Sequence, residues 1–424
     1  DLANSAKFIR KSQTTYNPID KGSEKAIQTI NFDSLGANPD TTTTYYYHVA
    51  GNDYAAGGDG AITSDSYMTR SNTTRASGTT KQVSYYTGTE SGEEVIRWSQ
   101  EYNYNASKTK TVTIYNSDAL GALTSSTVYK DILEDTIFAM PSDADLANSA
   151  KFIRKSQTTY NPIDKGSEKA IRTVNFDSLG QNPDTTTDYY YYVDASNQYV
   201  AGNGSGITSG SYMTRSNTTR ASGTTKQVSY YTGTESGEET ADYTEEYDSA
   251  ATPSVKTTSF YFYAADEKRA SLASGDDVLK SVHTYRDQIA DPASITKTSY
   301  QAPASGIKSI TYNSITYNDG VNITNRLNGE EVAAYAYDYD RSGAVVSTSC
   351  YFYGDTLTRA WYTSSDERLK QINAYRGLKD LSGVQAGDLS GIKSITYNHI
   401  TNREKGEETT DYTEEYSNAA TPSV

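Results

Sequence analysis

Catalysis, metal binding and phosphate binding each need particular residue types at particular spacings, and this sequence offers few. Histidine occurs only at His48, His283 and His399. A hydrolytic triad needs a Ser or Cys nucleophile, a base and an orienting acid. His48 aligns with a Tyr in a second copy of its own segment, and His399 stands where Ser314 stands in a sister motif. A base that its own duplicate lacks argues for strand or surface filler, and no strand-elbow Ser motif occurs. The sequence therefore reads as non-enzymatic, with no catalytic residue. The stretch DYDRSG (338–343) opens like a calcium loop, but the twelfth position, which should be a bidentate Glu, is Ser349. An Asp-bearing β-turn fits it better. Asp276, Asp277 and the carboxylates of a recurring GEE triplet stay as candidates for loose calcium at an acidic surface; no dedicated metal site is expected. GNGSG (202–206) has phosphate-loop glycines, but its counterpart is spelled differently and no helix pattern follows, so it reads as a flexible loop. No cofactor is expected.

The residue type that does recur in pattern is tyrosine. In AYAYDYDRSGAVVSTSCYFYGD (334–355), Tyr335, Tyr337 and Tyr339 fall at every second position. A helix would scatter them; a strand puts them on one face. Tyr351 and Tyr353 share a face of a second strand after the turn at DRSG. Aromatics stack on sugars and can relay charge, but cross-strand aromatic pairs also stabilise sheets by roughly 0.2–1 kcal/mol each. The five tyrosines are read as structural, laddered between modules and mostly buried.

Composition explains why tyrosine would take that role. Leu, Ile, Val and Phe together make 64 of 424 residues, about 15%, against 39 Tyr. Mean hydropathy is −0.71 and formal charge −15. A Tyr buries an apolar ring and leaves a hydroxyl to satisfy, which suits thin, half-wet cores. Many shallow β layers are expected rather than one thick aliphatic core. The lone Cys350 excludes an internal disulfide framework, and scarce Cys and His exclude haem attachment and multi-Cys zinc sites. Acidity argues against nucleic acid and anionic membrane, and no run of about 18 apolar residues predicts membrane insertion.

Internal repeats organise the chain. Residues 1–27 recur unchanged at 145–171, and the match continues to Glu94 and Glu239. The copies differ mainly at 48–66 against 193–211, a segment rich in Gly, Ala and Asn that reads as an exposed loop; elsewhere they should superpose. SGIKSITYN starts at Ser305 and Ser390, and GEE at Gly92, Gly237, Gly329 and Gly406, each followed by an alternating Tyr-rich segment. The expected organisation is duplicated blocks at 1–94 and 145–239, β modules at 95–144, 240–304 and 332–389, a spacer at 305–331, and a spacer with the start of a next module at 390–424. A short helix is expected near 129–139. AATPSV at 419–424 also occurs at 250–255, where it runs on into KTTSFYFY. The sequence thus reads as a window of a longer repetitive protein.

At YDRSGAVVSTSCYFYGD the chain resembles the YD repeats of the rearrangement-hotspot (Rhs) and teneurin type, through Tyr339, Asp340, Gly343 and Val345. Looser versions are YNSDALGAL (115–123) and YDSAATPSV (247–255). It is also similar to the very long repetitive surface proteins predicted in some uncultured bacteria. The resemblance implies repeated hairpins building a wound sheet, in that family a hollow shell often placed around a toxin. The family's terminal core signature and protease have no counterpart here, and the 95-residue blocks depart from its pattern.

The expected fold is all-β: a repetitive wound or stacked antiparallel sheet of hairpin modules with a few short helices. The expected function is a structural subunit or repeat window of an extracellular filament or tube, with its own copies as partner. The alternatives are the stalk of a surface adhesin and an Rhs-type shell enclosing a toxin. A cell-surface or extracellular setting makes surface glycans a further partner class, and Asn72, Asn105, Asn203, Asn217 and Asn322 open glycosylation sequons.

Overall fold

The computed structural model describes residues 10–33, 36–302, 305–321, 323–419 and 423. Among them regular structure is almost wholly antiparallel strand, with one four-residue helix, Asp143–Leu146, and four three-residue 3-10 turns. Two compact units divide at Ser209/Gly210, inside the variable segment of the second duplicated block.

The first unit is a meander in which each strand pairs with the next. Its strands are Ser12–Asn17, Lys25–Phe32, Pro39–Val49, Met68–Arg75, Thr80–Thr87, Val95–Tyr102, Thr109–Ser117, Leu123–Asp131, Phe152–Asn161, Lys169–Phe176 and Pro183–Tyr191. The second unit repeats the scheme with Met213–Arg220, Thr225–Thr232, Thr240–Tyr247, Val255–Tyr263, Leu279–Arg286, Ile307–Ser314, Val332–Tyr339, Val345–Tyr353, Leu369–Arg376, Ile392–His399 and Thr409–Glu415. Runs of Thr, Tyr and Val, stiff or broad at Cβ, favour this pleated surface. The duplicated strands keep one register: Thr14 faces Thr29 and Thr158 faces Thr173, with a bulge one residue further on in each. In the variable segment, strand Asn52–Ala56 of the first copy is answered by only Val200–Ala201 in the second.

Much of the core is a sheet face roofed by connecting segments rather than by a second sheet, with a smaller cluster of Val332, Tyr353 and Ala360 gathered separately. In the second unit Phe260, Phe262, Tyr285, Ile307, Ile310 and Tyr339 are buried beneath Ile289, Ile295 and Tyr300. Cys350, Phe352, Tyr375, Ile392 and Ile395 lie with Val384, and Leu381 packs against them. In the first unit Trp98, Val112, Ile114 and Phe152 lie under Ile137, Met140 and Leu146. Such a roof draws only two or three apolar side chains per patch, which is how a chain so poor in aliphatic residues closes its core.

The helix expected near 129–139 is absent. Tyr129 lies near the end of the strand Leu123–Asp131, where Thr124, Thr127 and Val128 favour extended backbone. Buried Asp131 then accepts the amides of Leu133 and Glu134 at 3.0 and 3.1 Å, fixing a turn where a helix would need to continue. The helix forms later, at Asp143–Leu146, where Ser142 and Asp145 make a reciprocal capping box.

Candidate functional site

The most repeated constellation in the molecule is a hairpin joint, built from three groups of side chains. The first is a carboxylate clip. Six hairpins turn through a Gly-x-Glu triplet whose glycine has φ between +83° and +89° (Gly22, Gly92, Gly166, Gly237, Gly329, Gly406). Each glycine is the third residue of a β-turn closed by an i to i+3 backbone bond, such as Ser23 N–H to Asp20 O at 2.9 Å. Only glycine takes that conformation without strain. At five of the six the third-position Glu then accepts backbone amides. Glu94 accepts from its own turn at Gly92 N (2.9 Å) and from the adjacent hairpin at Met68 N (2.7 Å). Glu239 does the same with Gly237 and Met213, and Glu408 with Gly406 and Leu369. Glu24 clips Gly22, and Glu168 reaches across to Leu123. These are charge-assisted bonds to backbone amides, among the stronger kinds of hydrogen bond.

The second group is aromatic. Tyr85 stacks on Trp98 (ring centroids 4.1 Å), Tyr230 on Tyr243 (4.4 Å), Tyr312 on Tyr335 (4.9 Å) and Tyr397 on Tyr412 (4.6 Å). Each pair is directly cross-strand and sits one position before a bulge. At four joints a tyrosine on the next strand donates its hydroxyl to an alanine carbonyl beside such a bulge: Tyr47 to Ala26 (3.0 Å), Tyr191 to Ala170 (2.9 Å), Tyr263 to Ala241 and Tyr353 to Ala333 (both 2.6 Å). Burial pushes the Tyr47 phenol up to about 12 and raises those of Tyr263 and Tyr353 further.

The third group is arginine. Arg75, Arg220, Arg286 and Arg376 each end a strand and spread one guanidinium over two carbonyls of the following hairpin. One is Thr80, Thr225, Ile307 or Ile392, near the start of that hairpin's first strand. The other is Tyr102, Tyr247, Tyr339 or Tyr416. The planar fork suits two acceptors at once. Tyr339, the tyrosine of the YD pair, thus gives its ring to the core and its carbonyl to Arg286.

Tyr335, Tyr337 and Tyr339 lie on one sheet face. Tyr312 meets both Tyr335 and Tyr337, Tyr339 is 7% exposed, and Tyr335 and Tyr337 are half-buried. Burial lifts the Tyr335 and Tyr339 phenols to about 12. Tyr351 and Tyr353 point to the opposite face, where Tyr353 packs with Val332 and Ala360 and Tyr351 lies against them. The register explains the split: Cys350, not Tyr351, stands opposite Tyr335.

The other candidates are placed as follows. His48 is on the variable segment, bonded to Asp53 (2.7 Å) and stacked on Tyr67; His399 is exposed. His283 is fully buried, its Nε2 3.2 Å from the Ser281 hydroxyl, which donates to Glu267 at 2.7 Å. Here the serine, not the base, sits between the other two, and the set is sealed under Tyr300 and beside Phe262. Asp340 accepts from the Ser342 hydroxyl (2.7 Å) and the amides of Ser342 and Ala344 (2.8 and 3.0 Å). Those bonds hold its carboxyl below the usual range and make DYDRSG an Asp turn. Asp277 is held by the Ser274 amide and Lys268, while Asp276 is exposed. Among the described residues no three His, Cys, Asp or Glu side chains converge on a metal position. GNGSG forms turns. Of the sequons, Asn105 and Asn203 are exposed in turns. Asn72 and Asn217 lie mid-strand, half-buried, with their carboxamide oxygens buried. Asn322 lies outside the described residues.

The sequence reading missed that KGSE and SGEE are the same turn, because it matched the whole triplet. The glycine and the third-position Glu are what the turns share, while at Gly329 and Gly406 the middle Glu330 and Glu407 also accept backbone amides, from Leu327 and Glu404. The clamp arginines stand in the sequence as Arg75–Ala76, Arg220–Ala221, Tyr285–Arg286 and Tyr375–Arg376, and only the strand registers give them a role.

No protein-family model matches the chain, and no curated protein does. Among solved structures, a porin-like protein from Bacteroides uniformis aligns over 80% of this chain and 90% of its own at 10% identity, with a TM-score of 0.22. The Photorhabdus luminescens Tc holotoxin pore aligns over 88% of this chain at 10% identity and TM-score 0.18, and a TcdB2-TccC3 structure over 84% at 13% and 0.14. The chain spans 23% and 19% of those two toxin chains. Scores of this size do not carry a shared function, and the reading below rests on the chain's own residues.

Proposed function

We propose that the chain is a structural repeat element of an extracellular filament or tube, assembled by stacking tyrosine-rich hairpin modules on further copies of the same module. The observation that carries this reading is that joints are completed by their neighbours, at Glu94, Glu168, Glu239 and Glu408. Glu94 closes its own turn and caps the hairpin before it; Arg75 and Arg220 close their strands by gripping the hairpin after them. A surface that accepts its like within the chain accepts it between chains, and contacts of that head-to-tail kind propagate rather than close. The outer edge of Phe152–Asn161 is covered by Leu123–Asp131. The segment SQTTYN in that strand is spelled identically in Ser12–Asn17, so the recognising edge occurs twice. Electron microscopy of the purified chain, with sedimentation across a concentration series, tests the reading. Concentration-dependent fibres or tubes are expected. A monomer at every concentration would refute the filament and leave a stalk or enclosing shell.

A further inference from the structure

We propose that the first unit carries a binding cleft for an acidic sugar, a hexuronate residue of a glycan chain. The cleft has a volume of roughly 430 Å³ and lies between the variable segment of the first duplicated block and the segment that roofs Trp98. Its floor is the Tyr85–Trp98 stack, the two rings within 6° of parallel. Tyr54 and Tyr67 rise from one side and Phe138 from the other. Phe138 is 82% exposed, more than any other aromatic ring among the described residues, and Tyr54 is 43% exposed. Arg97 stands at the rim, exposed, and among the described residues its guanidinium has no hydrogen-bond or ion-pair partner. Asp53, the carboxylate of the cleft, is already engaged by His48 at 2.7 Å.

Comparison with the second module shows that this arrangement is not a by-product of the repeat. Where the first has Arg97–Trp98 the second has Asp242–Tyr243. Asp242 is held by both ends of the Arg269 guanidinium at 2.9 and 2.6 Å. Arg269 also donates to Pro292 O and Ile295 O at 2.8 and 2.9 Å, tying the roof segment down. The first module replaces that consumed anion with an unconsumed cation.

The ligand class follows from these groups. Flat rings on two sides accept the CH-bearing face of a pyranose, and the Tyr and Thr residues that line the cleft beside them suit a hydroxyl-rich ring. A free guanidinium fork matches a carboxylate with two parallel hydrogen bonds, better than any neutral hydroxyl. In a chain of net charge −15 an anion is held only where such a local cation exists. An extended peptide finds no ladder to join, because the floor strands Thr80–Thr87 and Val95–Tyr102 are each paired on both sides.

The test is calorimetric titration of the full chain with trigalacturonate and with the neutral maltotriose. Binding of trigalacturonate that weakens with salt is expected, with little for maltotriose. Arg97→Gln should weaken it at least about tenfold, Arg97→Asp, the residue of the second module, should abolish it, and Phe138→Ala should weaken it several-fold. Both side chains are exposed, so circular dichroism and self-association should be unchanged, which separates this outcome from the filament reading. No uptake of trigalacturonate, equal uptake of maltotriose, or unchanged affinity in Arg97→Gln each overturns the proposal.

Discussion

His283 stands where the sister module has Asn373, and the two positions solve one problem differently. Asn373 donates to Tyr375 Oη and Ala386 O. His283 has only the Ser281 hydroxyl, with Nδ1 unpartnered, and is packed against Phe262, Tyr300 and Tyr312. Burial pushes its imidazole down to about 4 from an ordinary 6.5. The unfolded chain therefore binds the extra proton first. The stability held by neutral His283 is complete above pH 6.5 and is lost as pH falls toward 4. Two and a half units correspond to roughly 3 kcal/mol. Hydrogen exchange of the Leu279–Arg286 amides should show this loss, and His283→Asn should flatten the dependence relative to wild type. An equal acid response in both would mean that other carboxylates set it. The sequence shows three scattered histidines and nothing of this, because burial is a property of the roof segment, which no local pattern announces.

At the scale of the element, the tyrosine stripes and the register of the duplicated blocks were readable, since period-two patterning and near-identity are both written in the residues. Bulges were not, because a bulge belongs to a pair of strands rather than to either one. The tyrosines that attend them can be tested. Tyr353→Phe removes a hydroxyl that meets Ala333 O at 2.6 Å in a site 5% exposed. It should destabilise the second unit by about 1–3 kcal/mol, the cost of a lost bond plus an unpaired carbonyl, read as a shift in denaturation midpoint at constant slope. Glycines divide into two kinds. At Gly22 an added Cβ would meet nothing within 4 Å, so only its φ of +88° opposes substitution. At Gly57 the Cβ would lie 2.5 Å from Ala26 O and 2.7 Å from Ile27 Cα. Gly57→Ala should therefore force backbone movement and cost more than Gly22→Ala, by about 1–3 kcal/mol, with exchange rising first in Asn52–Ala56.

For the whole molecule, the replacement of aliphatics by tyrosine makes the fold vulnerable to base. Burial holds the phenols of Tyr47, Tyr285, Tyr335, Tyr339 and Tyr375 at about 12, against an ordinary 10. A phenol whose folded value is raised contributes stability that is complete below pH 10 and is lost as pH rises through about 12. Phenolate absorbance should lag behind a free-tyrosine curve and then rise in one steep step that coincides with loss of β-sheet circular dichroism. A gradual rise with the sheet intact would show the rings to be accessible. The all-β class and the repetition were legible from composition and alignment. The roofed sheet face was not, since a low aliphatic content says how little core exists but not where it is gathered.

The shared spelling of SQTTYN in Ser12–Asn17 and Phe152–Asn161 has a consequence for how the chain finds its fold. Leu123–Asp131 pairs with the later copy, the next strand along the chain, while the earlier copy lies far back at the start of the unit. Side chains in the shared segment cannot tell the two addresses apart; distance along the chain must. Loop closure over a roughly fivefold longer span costs only about 1.4 kcal/mol more, near a tenfold preference. A nascent chain that makes its hairpins in order never faces the choice. One refolded from denaturant does, and a minority of molecules should thread the wrong twin and return slowly.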